Sequence, residues 1–228
     1  MNISTRETLD RKIQEHFDDI LLLGSMVEKA ILDSVEALKK RDLKAAQLVY
    51  DNDQAINQKR FDIERQTLIT IATQQPMARD LRILASILDV SGELERIGDY
   101  AKGIAHVTIR LGGDPHLKPL IDIPKMAEFT ADMLHRALDA FVEADAETAQ
   151  IIPNDDDQVD NLYNQVYHEL LVFMFKDPST IDQATFLTWV AHNLERAADR
   201  VTNICERTIF IATGLMTEIS SSDDELQK

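Results

Sequence analysis

The chain is poor in residues that break helices. Among 228 residues there are only 7 Gly and 6 Pro, and aromatics make up 6%. An all-β chain of this length needs many more turn residues, so the scarcity excludes that class and favours long helices. A single cysteine, Cys205, excludes an intrachain disulfide and permits a reducing compartment. The longest compact apolar run near the start, Ile20-Leu21-Leu22-Leu23, falls far short of the roughly 20 residues of a membrane span. Met1 to Asp10 is polar and charged, without the apolar stretch of a secretory signal. A soluble, cytoplasmic protein is expected. Gly-rich phosphate loops, His-Glu-x-x-His and a nucleophile elbow are also missing, so no motif names a reaction. Positive charge is scarce: 24 Lys and Arg stand against 40 Asp and Glu, a formal net charge of -16. Such a surface repels nucleic acid and anionic lipid. It suits solubility, cation binding or a basic protein partner, and no nucleic-acid partner is expected.

What is present is a helical repeat. Apolar residues are 44% of the chain, enough to bury one large core or two smaller ones. Periodicity predicts six helices, over about 5–40, 43–73, 77–111, 125–143, 146–175 and 182–213. Pro153 marks a kink or delayed start in the fifth. Gly112-Gly113-Asp114-Pro115 reads as the linker between halves. Leu94-Glu95-Arg96-Ile97-Gly98-Asp99 recurs as Leu194-Glu195-Arg196-Ala197-Ala198-Asp199. Two further segments match: Asp42 to Gln47 with Asp145 to Gln150, and Asp53 to Asn57 with Asp156 to Asp160. Ile83, Ile87, Val90, Leu94, Ile97, Ala101 and Ile104 alternate spacings of four and three, the stripe of a bundle helix. Val190, Leu194, Ala197, Val201 and Ile204 keep the same register. The expected fold is all-α: two tandem three-helix bundles related by a pseudo-twofold. They span 1–113 and 114–216, with a polar, disordered tail over 217–228.

The acids of the repeated string lie off the apolar stripe and one turn apart on one face. Folding each hairpin about its turn brings further acids level with them. Asp53 and Asp99 are equidistant from Pro76, as are Asn57 and Glu95. Asp156 and Asp199 are equidistant from the Asp177-Pro178 junction, as are Asp160 and Glu195. Four carboxylate-type side chains per half therefore converge if the helices are rotated suitably. An all-oxygen set favours Mg²⁺, Ca²⁺ or Mn²⁺, with iron possible. The competing reading is a surface network in which Arg79, Arg82, Arg96, Arg196 and Arg200 neutralise the acids. His192, one turn before Glu195, is a possible nitrogen ligand or a plain surface residue. Asp132-x-x-His135 lacks the paired Glu-x-x-His motifs of di-iron bundles. Cys205 reads as a core residue.

Gln75-Pro76-Met77-Ala78-Arg79-Asp80-Leu81-Arg82, Leu94 to Ala101, and Leu194 to Asp199 together resemble the PhoU family of bacterial phosphate-transport accessory and signalling proteins. Met26 fits as well, and the resemblance covers about residues 5 to 215. It implies two three-helix bundles and multinuclear divalent-metal sites (Mg, Mn, Fe or Zn). By residue-wise transfer these fall on Asp53, Glu95 and Asp99, and on Asp156, Asp160, Glu195 and Asp199. Asn57 stands where an acid is expected, so the first site is expected to be the weaker. The resemblance also implies a non-enzymatic regulator between the ATPase subunit of a phosphate ABC transporter and a sensor histidine kinase at the cytosolic face of the membrane. A homodimer is expected. A carboxylate-bridged metal enzyme and a metal-storage bundle are the alternatives.

Overall fold

A computed structural model describes residues 5–219. The proposed tail from Ser220 onward lies outside the described residues. Seven α-helices run in chain order: α1 (Thr5–Lys40), α2 (Leu43–Gln74), α3 (Arg79–Leu111), α4 (Asp122–Glu143), α5 (Ala146–Ile151), α6 (Asp156–Lys176) and α7 (Ile181–Thr213). The described residues contain no strand. The fifth predicted helix is therefore two. Pro153 sits in a 3-10 turn, Ile152–Asp155, that breaks it just before Asp156. Pro124, by contrast, lies within the first turn of α4, where a missing N–H costs nothing, so that helix begins three residues earlier than its pattern suggested.

The two halves repeat down to their caps. Asp42 accepts hydrogen bonds from the backbone N–H groups of Lys44 and Ala45, and Asp145 accepts from those of Glu147 and Thr148. Each cap satisfies N–H groups that a helix start leaves unpaired. The residue before each cap takes the left-handed conformation, Arg41 at φ 56° and Ala144 at φ 53°. The turn from first to second helix is thus built twice by one recipe. The result is two three-helix bundles, α1–α3 and α4–α7, with α5 and α6 together standing for one helix.

One continuous core joins the bundles, because α1 packs on α4 and α3 on α7 across the pseudo-twofold. Phe17 and Phe141 meet edge to face with centroids 5.8 Å apart. Gly24 sits where α1 comes closest to α4: a Cβ there would lie 2.1 Å from Cδ1 of the buried Leu138. Polar contacts finish the same joint. Arg200 and Asn203 on α7 both donate to Glu93 on α3, and Arg207 pairs with Asp89. The second helices, α2 and α6, lie outside this four-helix centre. Among the described residues, no helix is long and apolar enough to cross a membrane.

Gly24→Val tests the close approach. Overpacking of this kind typically costs about 1–3 kcal/mol, and Leu138→Ala should recover part of it by making room. Denaturant unfolding of both single variants and the double variant measures this coupling. Strictly additive losses would contradict the contact.

Candidate functional site

The buried seam of α2 runs through Ala46, Val49, Asp53, Ile56, Ile63, Thr67 and Thr70. Asp53 occupies a position that the pattern reserves for an apolar side chain, and it is 4% exposed. The seam of α6 does the same: Asp156, Val159, Val166 and Leu170 are buried, and Asp156 is 3% exposed. Helix register, not chance, therefore turns one carboxylate per half inward. Gly98 on α3 lets α2 approach closely, since a Cβ there would lie 3.2 Å from Ile56 Cγ2. Glu95 is half-buried and Asp99 exposed, and Glu195 and Asp199 repeat that pair. They flank the seam on the side that faces the second helix.

The electrostatics agree with Asp53 facing Asp99 and Asp156 facing Asp199. Burial raises the Asp99 pKa above the usual carboxylate range, the Asp53 charge raises it further, and Lys102 opposes the shift. Glu95 is raised by burial and then by Asp99, with Arg60 opposing. Asp156 is pushed up to about 8, by burial first and then by Asp160, Asp199, Glu195 and Asp157. The sequence arithmetic thus placed Asp53, Asn57, Glu95 and Asp99 in one cluster and Asp156, Asp160, Glu195 and Asp199 in another, and the structure brings each set together.

The two clusters are filled differently. In the first, Lys102 Nζ donates to Asp53 Oδ2 at 2.6 Å, and Asn57 Nδ2 donates to the same oxygen at 3.0 Å. Lys102 also lies over the Tyr50 ring, 5.4 Å from its centroid. Its pKa is raised, through the hydrogen bond to Asp53 first. In the second half, Thr202 stands three residues after Asp199, as Lys102 stands after Asp99. Asp156, Asp199 and Thr202 line an open polar cleft there together with Arg196, Arg200, Asn203 and Glu206. Oδ1 of Asp53 and Oδ1 of Asp156 are each buried without a hydrogen-bond partner.

The other candidates resolve simply. His192 Nδ1 is 3.1 Å from Glu195 Oε2, and its ring lies 6.0 Å from that of Tyr163. Asp132 pairs with Arg136, while His135 lies between Glu28 and Asp139 on the surface. Cys205 is buried, and burial lifts its thiol to about 12, as befits a core residue. Arg200 reaches Glu93 and Arg196 lies over Tyr100, so these two arginines serve the joint between the halves, while Arg96 pairs with Glu93 within α3. Lys102 escaped the sequence reading, although its i,i+3 spacing from Asp99 was a usable signal.

Among the described residues, no group of three or more His, Cys, Asp or Glu side chains is arranged so that it could hold a metal ion. The second cluster gathers carboxylates of the kind that suit a hard divalent cation, with one Asp156 oxygen buried and without a hydrogen bond, beside an open cleft that Arg196 and Arg200 also line. The first cluster fits one less well, because Lys102 already delivers positive charge to Asp53.

A pH dependence follows for the chelator-treated protein. The unfolded chain releases the Asp156 proton near 3.8, whereas the folded chain holds it to about 8. The folded state binds more protons between those values, so this group's contribution to stability falls as pH rises across that window. Asp156→Asn should remove that part of the slope, gaining most relative to wild type at pH 8. Parallel pH profiles for the two proteins would contradict the burial of this carboxylate.

Comparison with known proteins agrees with this architecture. The PhoU domain model matches residues 20–108 and 123–208, one match in each bundle. A phosphate-specific transport system accessory protein PhoU homolog of Clostridium acetobutylicum is 36% identical over 217 residues, covering 95% of this chain and 99% of that protein. Its counterpart in Aquifex aeolicus is 34% identical, covering 90% of this chain and 93% of that protein. The crystal structure of PhoU from Pseudomonas aeruginosa superposes with a TM-score of 0.85 at 32% identity, covering 90% of this chain and 99% of that one. The phosphate transport system regulatory protein PhoU from Streptococcus pneumoniae gives 0.84 at 31% identity, with 92% and 99% covered. With both bundles matched, both acidic strings in place and the relatives covered end to end, this chain belongs to the PhoU family.

Proposed function

We propose that this protein is a regulatory adaptor of phosphate homeostasis. It restrains phosphate uptake and the phosphate-starvation response by linking the ATPase subunit of a phosphate ABC transporter to a sensor histidine kinase. One observation carries the reading: the likeness to proteins named as accessory to phosphate transport covers 95% of this chain and 99% of the relative. The adaptor works by docking rather than turnover, from the cytosolic side of the membrane and as a homodimer. Exposed apolar side chains along the outer helix α2, including Leu48, Phe61, Leu68 and Ile69, support a docking role for that face.

The second acidic cluster gives the adaptor a cation-dependent surface. A divalent cation there, when bound, neutralises the carboxylates. Asp156 anchors the cluster from the seam of α6, and Glu195 and Asp199 answer it from one face of α7. Asp160, one turn beyond Asp156, completes the oxygen set. These side chains cross-link the outer helix to the central one, so the shape of the surface depends on whether their repulsion is relieved.

Two outcomes test the reading. Mn²⁺ should raise the unfolding free energy of the wild-type protein, by about 2.7 kcal/mol at a hundredfold excess over Kd. The Glu195→Ala/Asp199→Ala variant should fold yet lose that response; wild-type metal content in the double variant would remove these residues from the site. As bait in a membrane extract, the wild-type protein should recover the transporter ATPase and the sensor kinase, and the double variant should recover less. Recovery of neither partner, at high or low phosphate, would contradict the adaptor role.

A further inference from the structure

We infer that the recess between the end of α3 and the start of α7 is a docking site for an acidic segment of a partner protein, which seats one large apolar side chain there. The site uses none of the residues of the acidic clusters and none of the α2 side chains named above, so it stands whether or not those features bind anything.

Two helices build the recess, each from one face. His106, Val107 and Arg110 come from near the end of α3, and Thr185, Phe186 and Trp189 from near the start of α7. The recess holds about 250 Å³. Pockets that bury a whole small molecule run from about 300 to 1,000 Å³, so this one suits a single anchoring side chain. Gly103 lets the indole settle against α3: a Cβ there would lie 2.9 Å from Trp189 Cη2. Trp189 is the chain's one tryptophan, and it stays 45% exposed. The Arg110 guanidinium lies over the Phe186 ring, 4.9 Å from its centroid. The His106 ring lies 6.0 Å from that of Tyr50 on α2, which extends the aromatic surface. Tryptophan, tyrosine and arginine around an apolar recess are the side chains that dominate the energetics of protein interfaces.

Charge selects the partner. Arg110 and His106 are the titratable side chains that line the recess, and no carboxylate lines it. Among the described residues, neither forms an ion pair with a carboxylate. Acids farther away on this chain of net charge -16 are largely screened at physiological salt, where the Debye length is about 8 Å. The pseudo-twofold supplies the comparison. Counted from Leu194 as from Leu94, Asp89 stands for Trp189, Asn203 for Gly103, Glu206 for His106 and Arg207 for Val107. There the joint between α3 and α7 is closed by polar pairs. Arg207 meets Asp89 at 3.2 Å, and Asn203 donates to Glu93. The cleft they line carries its own acids, Asp89, Glu93 and Glu206. One end of the joint thus satisfies itself. At the other end the matching positions carry an exposed indole beside cations that no carboxylate answers. Packing between the halves does not call for that arrangement, whereas a partner that brings an apolar anchor flanked by acids completes it.

Trp189 makes the test direct, because all tryptophan emission of the chain reports on this recess. Three short synthetic peptides serve as probes: a phenylalanine flanked by aspartates and glutamates, the same phenylalanine flanked by lysines, and the acidic peptide with alanine at its centre. Titrated into the full-length protein, the acidic phenylalanine peptide should change Trp189 emission saturably. The other two should bind at least about tenfold more weakly. Arg110→Glu, on an exposed side chain, should weaken the acidic phenylalanine peptide by about tenfold as well, and Arg110→Lys should keep most of its affinity. Equal binding of the lysine peptide, or acidic-peptide binding untouched by Arg110→Glu, overturns the inference. A benzoylphenylalanine version of the acidic peptide should crosslink to α3 near His106 and to α7 near Trp189. Crosslinks confined to α2, or no saturable binding at all, overturn it too. The same instrument reads the rival occupants. Trp189 emission that shifts with protein concentration alone would seat a second copy of the chain there, and AMP binding as tight as the peptide would make the recess a nucleotide site. Either result contradicts the assignment.

Discussion

Each half of this protein buries one aspartate in a helix seam, opposite two more acids, and the remaining features of both clusters answer the cost of that burial. A carboxylate nearly withdrawn from water and surrounded by like charge either takes up a proton or finds a cation. Asp53 has found one in Lys102. Asp156, facing Asp160, Asp199 and Glu195, is driven toward the protonated form. The bundle can carry this load because its stability comes from elsewhere. The four central helices share one core, closed at the α1–α4 joint by Gly24 and Phe17 against Leu138 and Phe141. The outer helices α2 and α6 are thus left to carry the charged chemistry.

The same duplication explains why the halves can diverge. Their caps at Asp42 and Asp145, their turns and their seams are shared, so the backbone presents equivalent positions twice. Once the scaffold is repeated, a few side chains decide what each copy does. Lys102, Tyr50, Asn57 and Arg60 surround the buried carboxylate of one cluster with donors and positive charge. Thr202, Pro153, Asp160 and Tyr163 stand at the matching positions of the other, which has no counterpart of the Lys102 contact at Thr202.

Much of this was legible in the sequence, for definable reasons. Antiparallel helices rise equally per residue, so distance from the turn is enough to pair Asp53 with Asp99 and Asp156 with Asp199. Six long apolar periodicities carried the fold, and the duplicated Leu-Glu-Arg string carried its symmetry. Rotation about a helix axis was not legible from that arithmetic, although the seam of α2 held the answer: Asp53 falls between Val49 and Ile56, where an apolar residue belongs. Lys102 was missed because its partner lies 49 residues away, and a lysine on a helix looks like any other surface charge. Pro153 could signal a kink but not a complete break. The start of α4 was set too late because Pro124 is harmless in a first turn. Which faces join the two halves was hidden as well, since a repeat fixes the units and not their docking.

The central claim is that the buried acid charge of the second half is met by a divalent cation. The most direct measurement is anomalous diffraction from crystals grown with Mn²⁺. That claim requires an anomalous peak in the cleft between Asp156 and Asp199. A map without one there would contradict it.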